Sequence, residues 1–125
     1  MTSIRVLHSA DLSQADLDSM RRLFDEAWHD EGFTDEDWEH AFPGMHYIVG
    51  DEGAVRSHVA VVERDIHVAG RPLRTGYVEN VATRAAERRR GLGTAVMALA
   101  GEHIRANFDL GALGPYPSKK QPGHA

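Results

Sequence analysis

One short segment constrains this chain more than any other. Arg88-Arg89-Arg90-Gly91-Leu92-Gly93 follows a stretch rich in β-branched residues that ends at Thr83. It precedes a run in which Leu92, Val96, Leu99 and Ile104 mostly share one helical face. A strand that passes through a glycine turn straight into a helix belongs to an α/β mixture. Glycines here remove side chains, so that a ligand can approach the main chain. The first N–H groups of a helix have no partner within it. With the helix dipole they make an anion site. A Walker loop needs Gly-Lys-Ser/Thr, which is absent, and a Rossmann turn needs a third glycine where Val96 stands. Taken alone, the segment reads equally well as a basic loop on a helix start or as a nucleic-acid patch of three arginines.

The remainder of the chain supplies the elements around it. Ile4 to Leu7 reads as a short strand. Ser13 is placed to cap a helix, with Asp16 in the capping-box position and Leu12 and Leu17 as a hydrophobic staple. Leu17, Met20, Phe24, Ala27 and Trp28 continue the helical spacing to a stop at Gly32. Thr34 caps a shorter helix with Asp35, Glu36 and Asp37 in its first turn, and Pro43-Gly44 ends it. Three strands follow, Met45 to Val49, Ala54 to Arg64 and Leu73 to Thr83. Turns at Asp51-Glu52-Gly53 and Ala69-Gly70-Arg71-Pro72 separate them, which implies an antiparallel meander. The helix after the glycines is expected over Thr94 to Arg105, and Leu110 to Leu113 begins a further strand. Residues 114–125 carry three prolines and no periodicity, and are expected to form an unstructured tail.

With 125 residues the chain is long enough for one domain. It has no cysteine, which excludes disulfides and thiolate chemistry. A net charge of −5 disfavours nucleic acid and suits a cationic partner. The start of the chain has no apolar stretch of signal-peptide length, and its longest apolar run is Ala95 to Ala100. A soluble, cytoplasmic protein without membrane contact is expected. The eight histidines are scattered without a metal-binding spacing, so no metal is expected either.

Arg88-x-x-Gly91-x-Gly93 between strand and helix resembles the pyrophosphate loop of the GNAT acetyltransferases. Three further blocks resemble the aminoglycoside 2′-N-acetyltransferases within that superfamily. They are Phe33-Thr34-x-x-Asp37-Trp38-Glu39-His40-x-x-x-Gly44-Met45-His46, Arg74-x-Gly76-Tyr77-Val78-Glu79-x-Val81-Ala82-x-Arg84, and Leu110-Gly111-Ala112-Leu113. The resemblance covers about residues 4–113. It implies a GNAT fold, a mostly antiparallel mixed sheet with flanking helices, here lacking the family's C-terminal part. Residues 1–113 would be the N-terminal part of that domain and 114–125 a divergent tail. It implies acetyl-CoA as co-substrate and a cationic small-molecule amine, the 2′-amino group of an aminoglycoside, as acceptor; the alternatives are a remnant that binds coenzyme A without catalysis and a GNAT enzyme for another amine. A homodimer, which would supply a missing wall of the acceptor site, is an option.

The site residues follow from the same resemblance. Val81 and Thr83 on the strand, and Arg88, Arg89, Arg90, Gly91, Leu92, Gly93 and Thr94 in the loop, would hold coenzyme A. Asp37, Trp38, Glu79 and Asn80 would meet the acceptor, with Glu79 as general base. Gly32 stands where relatives carry a substrate-binding aspartate, and the family's candidate acid, a tyrosine, has no counterpart. Acetyl transfer requires a neutral amine. An alkylammonium near pKa 10.4 is neutral at pH 7 in about one molecule of 2,500, a cost of roughly 4.6 kcal/mol. A sugar amine near 8 costs only about 1.4 kcal/mol. A positioned carboxylate, directly or through water, is therefore a sufficient base.

Overall fold

The computed structural model describes residues 4–113, and the expected tail 114–125 lies outside the described residues. One five-stranded sheet runs in sequence order: β1 (Ile4–His8), β2 (Met45–Val49), β3 (Ser57–Val68), β4 (Arg71–Thr83) and β5 (Leu110–Leu113). β1 to β4 pair antiparallel in succession. β5 lies parallel to β4, from Thr75↔Leu110 to Val78↔Leu113. The helices are α1 (Gln14–Ala27), α2 (Asp35–Glu39) and α3 (Leu92–Asn107). None of the described helices is long and apolar enough to cross a membrane.

Strand alternation sorts the core into two layers. Tyr47, Val49, Val59, Val61 and Val78 meet Leu92, Val96 and Ala100 of α3 on one face. Ile48, Val55 and Ala82 meet Met20, Leu23 and Phe24 of α1 on the other. Phe24 is fully buried. Its ring centroid lies 5.4–5.9 Å from those of Trp28, Phe33 and Trp38, which ties α1 to α2. Such aromatic pairs contribute about 0.5–1.5 kcal/mol each beyond their buried area.

Element boundaries shift where main-chain bonds decide them. β3 begins at Ser57 rather than Ala54, because residues 50–56 form a connection in which Gly50 takes φ 123°. The Arg56 N–H donates to Val49 O at 2.7 Å and closes that connection. At the other end the β3–β4 ladder continues to Val68↔Arg71. Only Ala69 and Gly70 are left as the turn, with φ of 52° and 78°. Two successive left-handed residues match the twist of a tight hairpin, so both strands outrun the expected four-residue turn. α3 likewise starts two residues early, at Leu92, with Gly91 as its N-cap.

Asp16 corrects a local expectation. The Ser13 hydroxyl does accept from the Asp16 N–H at 3.1 Å. The Asp16 carboxylate turns instead to the Arg5 guanidinium, at 2.9 and 3.0 Å, and accepts from the Gly53 N–H at 3.0 Å. A cation and a backbone donor outcompete the N-cap amide for a buried carboxylate. They join β1, α1 and the β2–β3 connection.

Candidate active site

The main chain of β4 changes its pattern in the middle. His58 pairs with Ala82, whereas Ala60 pairs with Glu79, so β4 spends one residue more than β3 between these points. The extra residue forms a β-bulge, with Asn80 left-handed at φ 51°. A one-residue insertion reverses which face the following side chains occupy. Val78 consequently packs toward α3, while Ala82 packs toward α1. Val81, at the bulge, is 38% exposed.

Glu79 sits immediately before the bulge and is 3% exposed. Its Oε2 accepts from Arg64 Nη2 at 3.3 Å, and Oε1 has no partner among the described residues. Burial raises the Glu79 pKa, opposed by the charge and hydrogen bond of Arg64 and by His40. Arg64 also donates to His40 O at 3.2 Å and lies over the Tyr77 ring at 5.5 Å.

β4 leads through a 3-10 turn at Ala85–Glu87 into the arginine–glycine loop. Arg89 and Gly91 are left-handed, at φ 68° and 80°. The first α-helical bond is Ala95 N–H to Gly91 O at 3.0 Å. The N–H groups of Leu92, Gly93 and Thr94 therefore open the helix without an intrahelical acceptor. Thr83, Glu87, Arg88, Arg89, Gly91 and the first turn of α3 line a hollow of about 200 Å³. The two glycines serve differently. A Cβ at Gly91 would meet open space but a left-handed φ, whereas one at Gly93 would lie 3.2 Å from Thr83 Oγ1. Thr83 Oγ1 itself is 2.8 Å from Ser57 Oγ. Leu92 is 5% exposed, so its side chain belongs to the core and only its main chain faces the hollow.

The basic loop carries its own counter-ion. Glu87 Oε2 accepts from Arg56 Nε at 3.2 Å, and Oε1 accepts from Arg56 Nη2 at 3.0 Å and Arg90 Nη1 at 3.5 Å. The Arg56 hydrogen bond leads the causes that lower the Glu87 pKa. Arg88 Nε donates to Thr83 O at 3.3 Å, which fastens the loop to the end of β4.

Asp37 and Trp38, expected at the acceptor, lie along α2. Asp37 is 2% exposed and closes a capping box with Thr34. Its Oδ2 accepts from the Thr34 N–H at 3.0 Å, and Thr34 Oγ1 accepts from the Asp37 N–H at 3.1 Å. Trp38 is half-buried against Phe24 and Phe42, with the Arg21 guanidinium 5.9 Å from its ring. Asn80 Nδ2 donates to Asp37 O at 3.2 Å, a direct link between the bulge and α2. Asp37, Glu79 and Asn80 thus come together, while the loop residues form a separate hollow farther along β4. Sequence reasoning missed Arg64 and Glu87. Glu87 was visible, three residues before Arg90. Arg64 required the strand register, because fifteen residues of chain separate it from Glu79.

Comparison with known proteins places this geometry. Residues 9–118 match the sequence profile of the acetyltransferase (GNAT) domain. An aminoglycoside 2′-N-acetyltransferase of Mycolicibacterium fortuitum is 43% identical over 109 residues, which are 87% of this chain and 55% of that protein. The chain therefore spans about half the length of this curated relative. An acetyltransferase of Trypanosoma brucei superposes with a TM-score of 0.65 over 93% of this chain and 84% of its own, at 17% identity. An aminoglycoside N-acetyltransferase solved in complex with CoA gives 0.60 over 94% and 78%, also at 17% identity. At such identities the structural likeness is one of fold. The profile match, which takes in both the bulged strand and the glycine loop, establishes that the chain belongs to the GNAT acetyltransferase family.

Proposed function

We propose that this chain carries the donor site and the general base of an acetyl-CoA-dependent N-acetyltransferase whose acceptor is a cationic amine, the 2′-amino group of an aminoglycoside. The loop at the start of α3 carries the proposal. Two left-handed residues, three helix-opening N–H groups and a cluster of arginines are the donor set that a pyrophosphate needs. The fit is chemical as well as geometric, since anions bind where amides converge at a helix start. Acetyl-CoA supplies an activated acyl group. The chain supplies its anchorage at 88–94, and the β4 main chain at Val81 and Thr83, past the β5 ladder that ends at Val78, is suited to run beside the donor's arm.

On the acceptor side, Glu79 takes the proton of the amine, directly or through one water. Its burial moves it toward the operating range of a general base, and Oε1 is the available acceptor. Asp37 acts by fixing α2 and so the carbonyl that holds Asn80, and Trp38 offers a ring edge to the acceptor. The 43% identity to a 2′-N-acetyltransferase supports the choice of acceptor. A second reading is coenzyme A binding by these residues without turnover of their own.

Calorimetric titration of coenzyme A into the wild type and a Gly91→Val/Gly93→Val variant tests the donor site. The double variant is expected to lose at least tenfold in affinity, and equal affinity would refute the loop assignment. Thiol release from acetyl-CoA with a 2′-amino aminoglycoside then separates the readings. Amine-dependent turnover supports the enzyme, and binding without turnover supports the second reading.

A further inference from the structure

A buried polar chain crosses the α1 face of the sheet and ends on the bulge. Gly44 N–H donates to Ser9 Oγ at 2.9 Å. Ser9 Oγ is 2.7 Å from His46 Nε2, His46 Nδ1 is 2.9 Å from His58 Nε2, and His58 Nδ1 is 2.8 Å from Asn80 O. Both imidazoles are fully buried. A charge on either would be costly there, so both are neutral.

The end of the chain fixes the direction of every bond. A carbonyl only accepts, so His58 carries its proton on Nδ1 and its Nε2 accepts. The proton between the rings then belongs to His46 Nδ1, and His46 Nε2 accepts in turn. That acceptor receives the Ser9 hydroxyl proton, whose other neighbour, Gly44 O, is farther away at 3.2 Å. No donor is duplicated and no ring nitrogen is left over. The Phe24 and Phe42 rings, centroids 5.1 Å from His58 and 5.0 Å from His46, pack the pair in place.

The object held is the left-handed residue. Asparagine tolerates that conformation better than most, but at a cost that surrounding structure must offset. The bulge turns the Asn80 carbonyl to the His58 imidazole. Asn80 Nδ2 is tied separately to Asp37 O. With both ends of Asn80 fixed, the main chain next to Glu79 has one available path.

We propose that His58 is a positioning residue, which through its Nδ1–H, backed by His46 and Ser9, locks Asn80 in the bulge and thereby sets the direction of Glu79. The inference rests on the reading of Glu79 as general base only for its effect on turnover; its effect on Asn80 stands apart.

The test compares two near-isosteres. His58→Asn places an amide N–H close to where Nδ1 was and keeps the bond to Asn80. His58→Gln reaches toward His46 and loses that bond. Ring nitrogen and proton NMR of the wild type should show both histidines neutral and protonated on Nδ1. Asn80 backbone shifts and the HN–Hα coupling should stay left-handed in His58→Asn and shift away in His58→Gln. Where the chain turns over amine, His58→Gln should lower kcat at least tenfold with little change in KM, and His58→Asn should stay within about threefold of wild type. An Nε2-protonated His58, or an Asn80 unchanged in His58→Gln, overturns the proposal. Should His58→Gln fail to fold, an Asn80→Gly background decides. Glycine adopts the left-handed state unaided, so the stability lost through His58→Gln should shrink there, and an undiminished loss refutes the coupling. A Glu79→Gln variant with full kcat would remove Glu79 as base while leaving the Asn80 measurements as the judge of His58.

Discussion

At the scale of single residues, buried groups set opposite pH dependences. Burial raises the Glu79 pKa, so its charged form costs stability above the unfolded carboxyl pKa, and that cost is relieved as pH falls through the folded value. Glu79→Gln removes the charge, while Arg64, 41% exposed, keeps access to water. The variant should melt at pH 7 no lower than wild type, measured by calorimetry, while turnover drops about 10²–10⁴-fold. A melting point several degrees lower would mark Glu79 as structural. His46 and His58 run the other way. Burial pushes them down to about 2 and about 4, with the charges of His58 and His8 adding to the effect on His46. Unfolded imidazoles titrate near 6.5, so below that pH the unfolded chain binds more protons. Their contribution is complete above pH 6.5 and is lost as pH falls toward the folded values. Each histidine loses about 1.4 kcal/mol per pH unit, together about 4 kcal/mol by pH 5. Asp16, whose pKa the Arg5 hydrogen bond lowers, adds to the loss only below about pH 4. Urea unfolding at pH 7 and pH 5 reads the difference, and a loss under about 1 kcal/mol would mean that the imidazoles are hydrated or charged in the fold.

At the scale of elements, α3 sits where it does because β4 and β5 carry glycines, Gly76 and Gly111, beneath Ile104 and Phe108 at its C-terminal end. A Cβ at Gly76 would lie 2.9 Å from both Ile104 Cγ1 and Phe108 Cδ2, and one at Gly111 would lie 3.0 Å from Ile104 Cγ2. Gly76→Val should therefore cost about 1–3 kcal/mol by overpacking. The arginine–glycine loop at the opposite end of α3, the proposed donor site, should keep its affinity for coenzyme A in whatever fraction stays folded. Thermal melting with and without coenzyme A separates these effects. A variant as stable as wild type would show that the helix can ride higher on the sheet. The loop was legible from its glycine spacing. The separate duties of its glycines were not, since the left-handed turn at Gly91 and the close approach of Gly93 to Thr83 arise only when α3 docks on β4.

At the scale of the molecule, the sheet's described strands end at β1 on one side and at β5 on the other. Among the described residues β5 pairs only with β4, and Leu110 and Leu113 are 40% and 72% exposed. An apolar edge strand invites pairing with a second copy. Sedimentation velocity is expected to show concentration-dependent association that Leu113→Lys reduces. A wild type that stays monomeric at 100-fold differing concentrations would show the edge to be covered.

The sequence by itself determined the element order, the caps at Ser13 and Thr34, the antiparallel meander and the glycine loop before α3. All of these are local chemistry, written within a few residues of one another. Glycine spacing, capping oxygens and strand alternation act over one turn or one strand, so periodicity reveals them. Only the tertiary structure decided the pairing of His46 with His58, the tie of Arg64 to Glu79 and the diversion of Asp16 to Arg5. The two histidines looked unrelated at twelve residues apart. They meet because β2 and β3 pair in the register that sets His46 opposite Ala60 and Ile48 opposite His58. The bulge belongs with these. Nothing in the composition of β4 demands an extra residue at Asn80. It follows from the match between two strands, with a buried imidazole on one strand waiting for a carbonyl on the other.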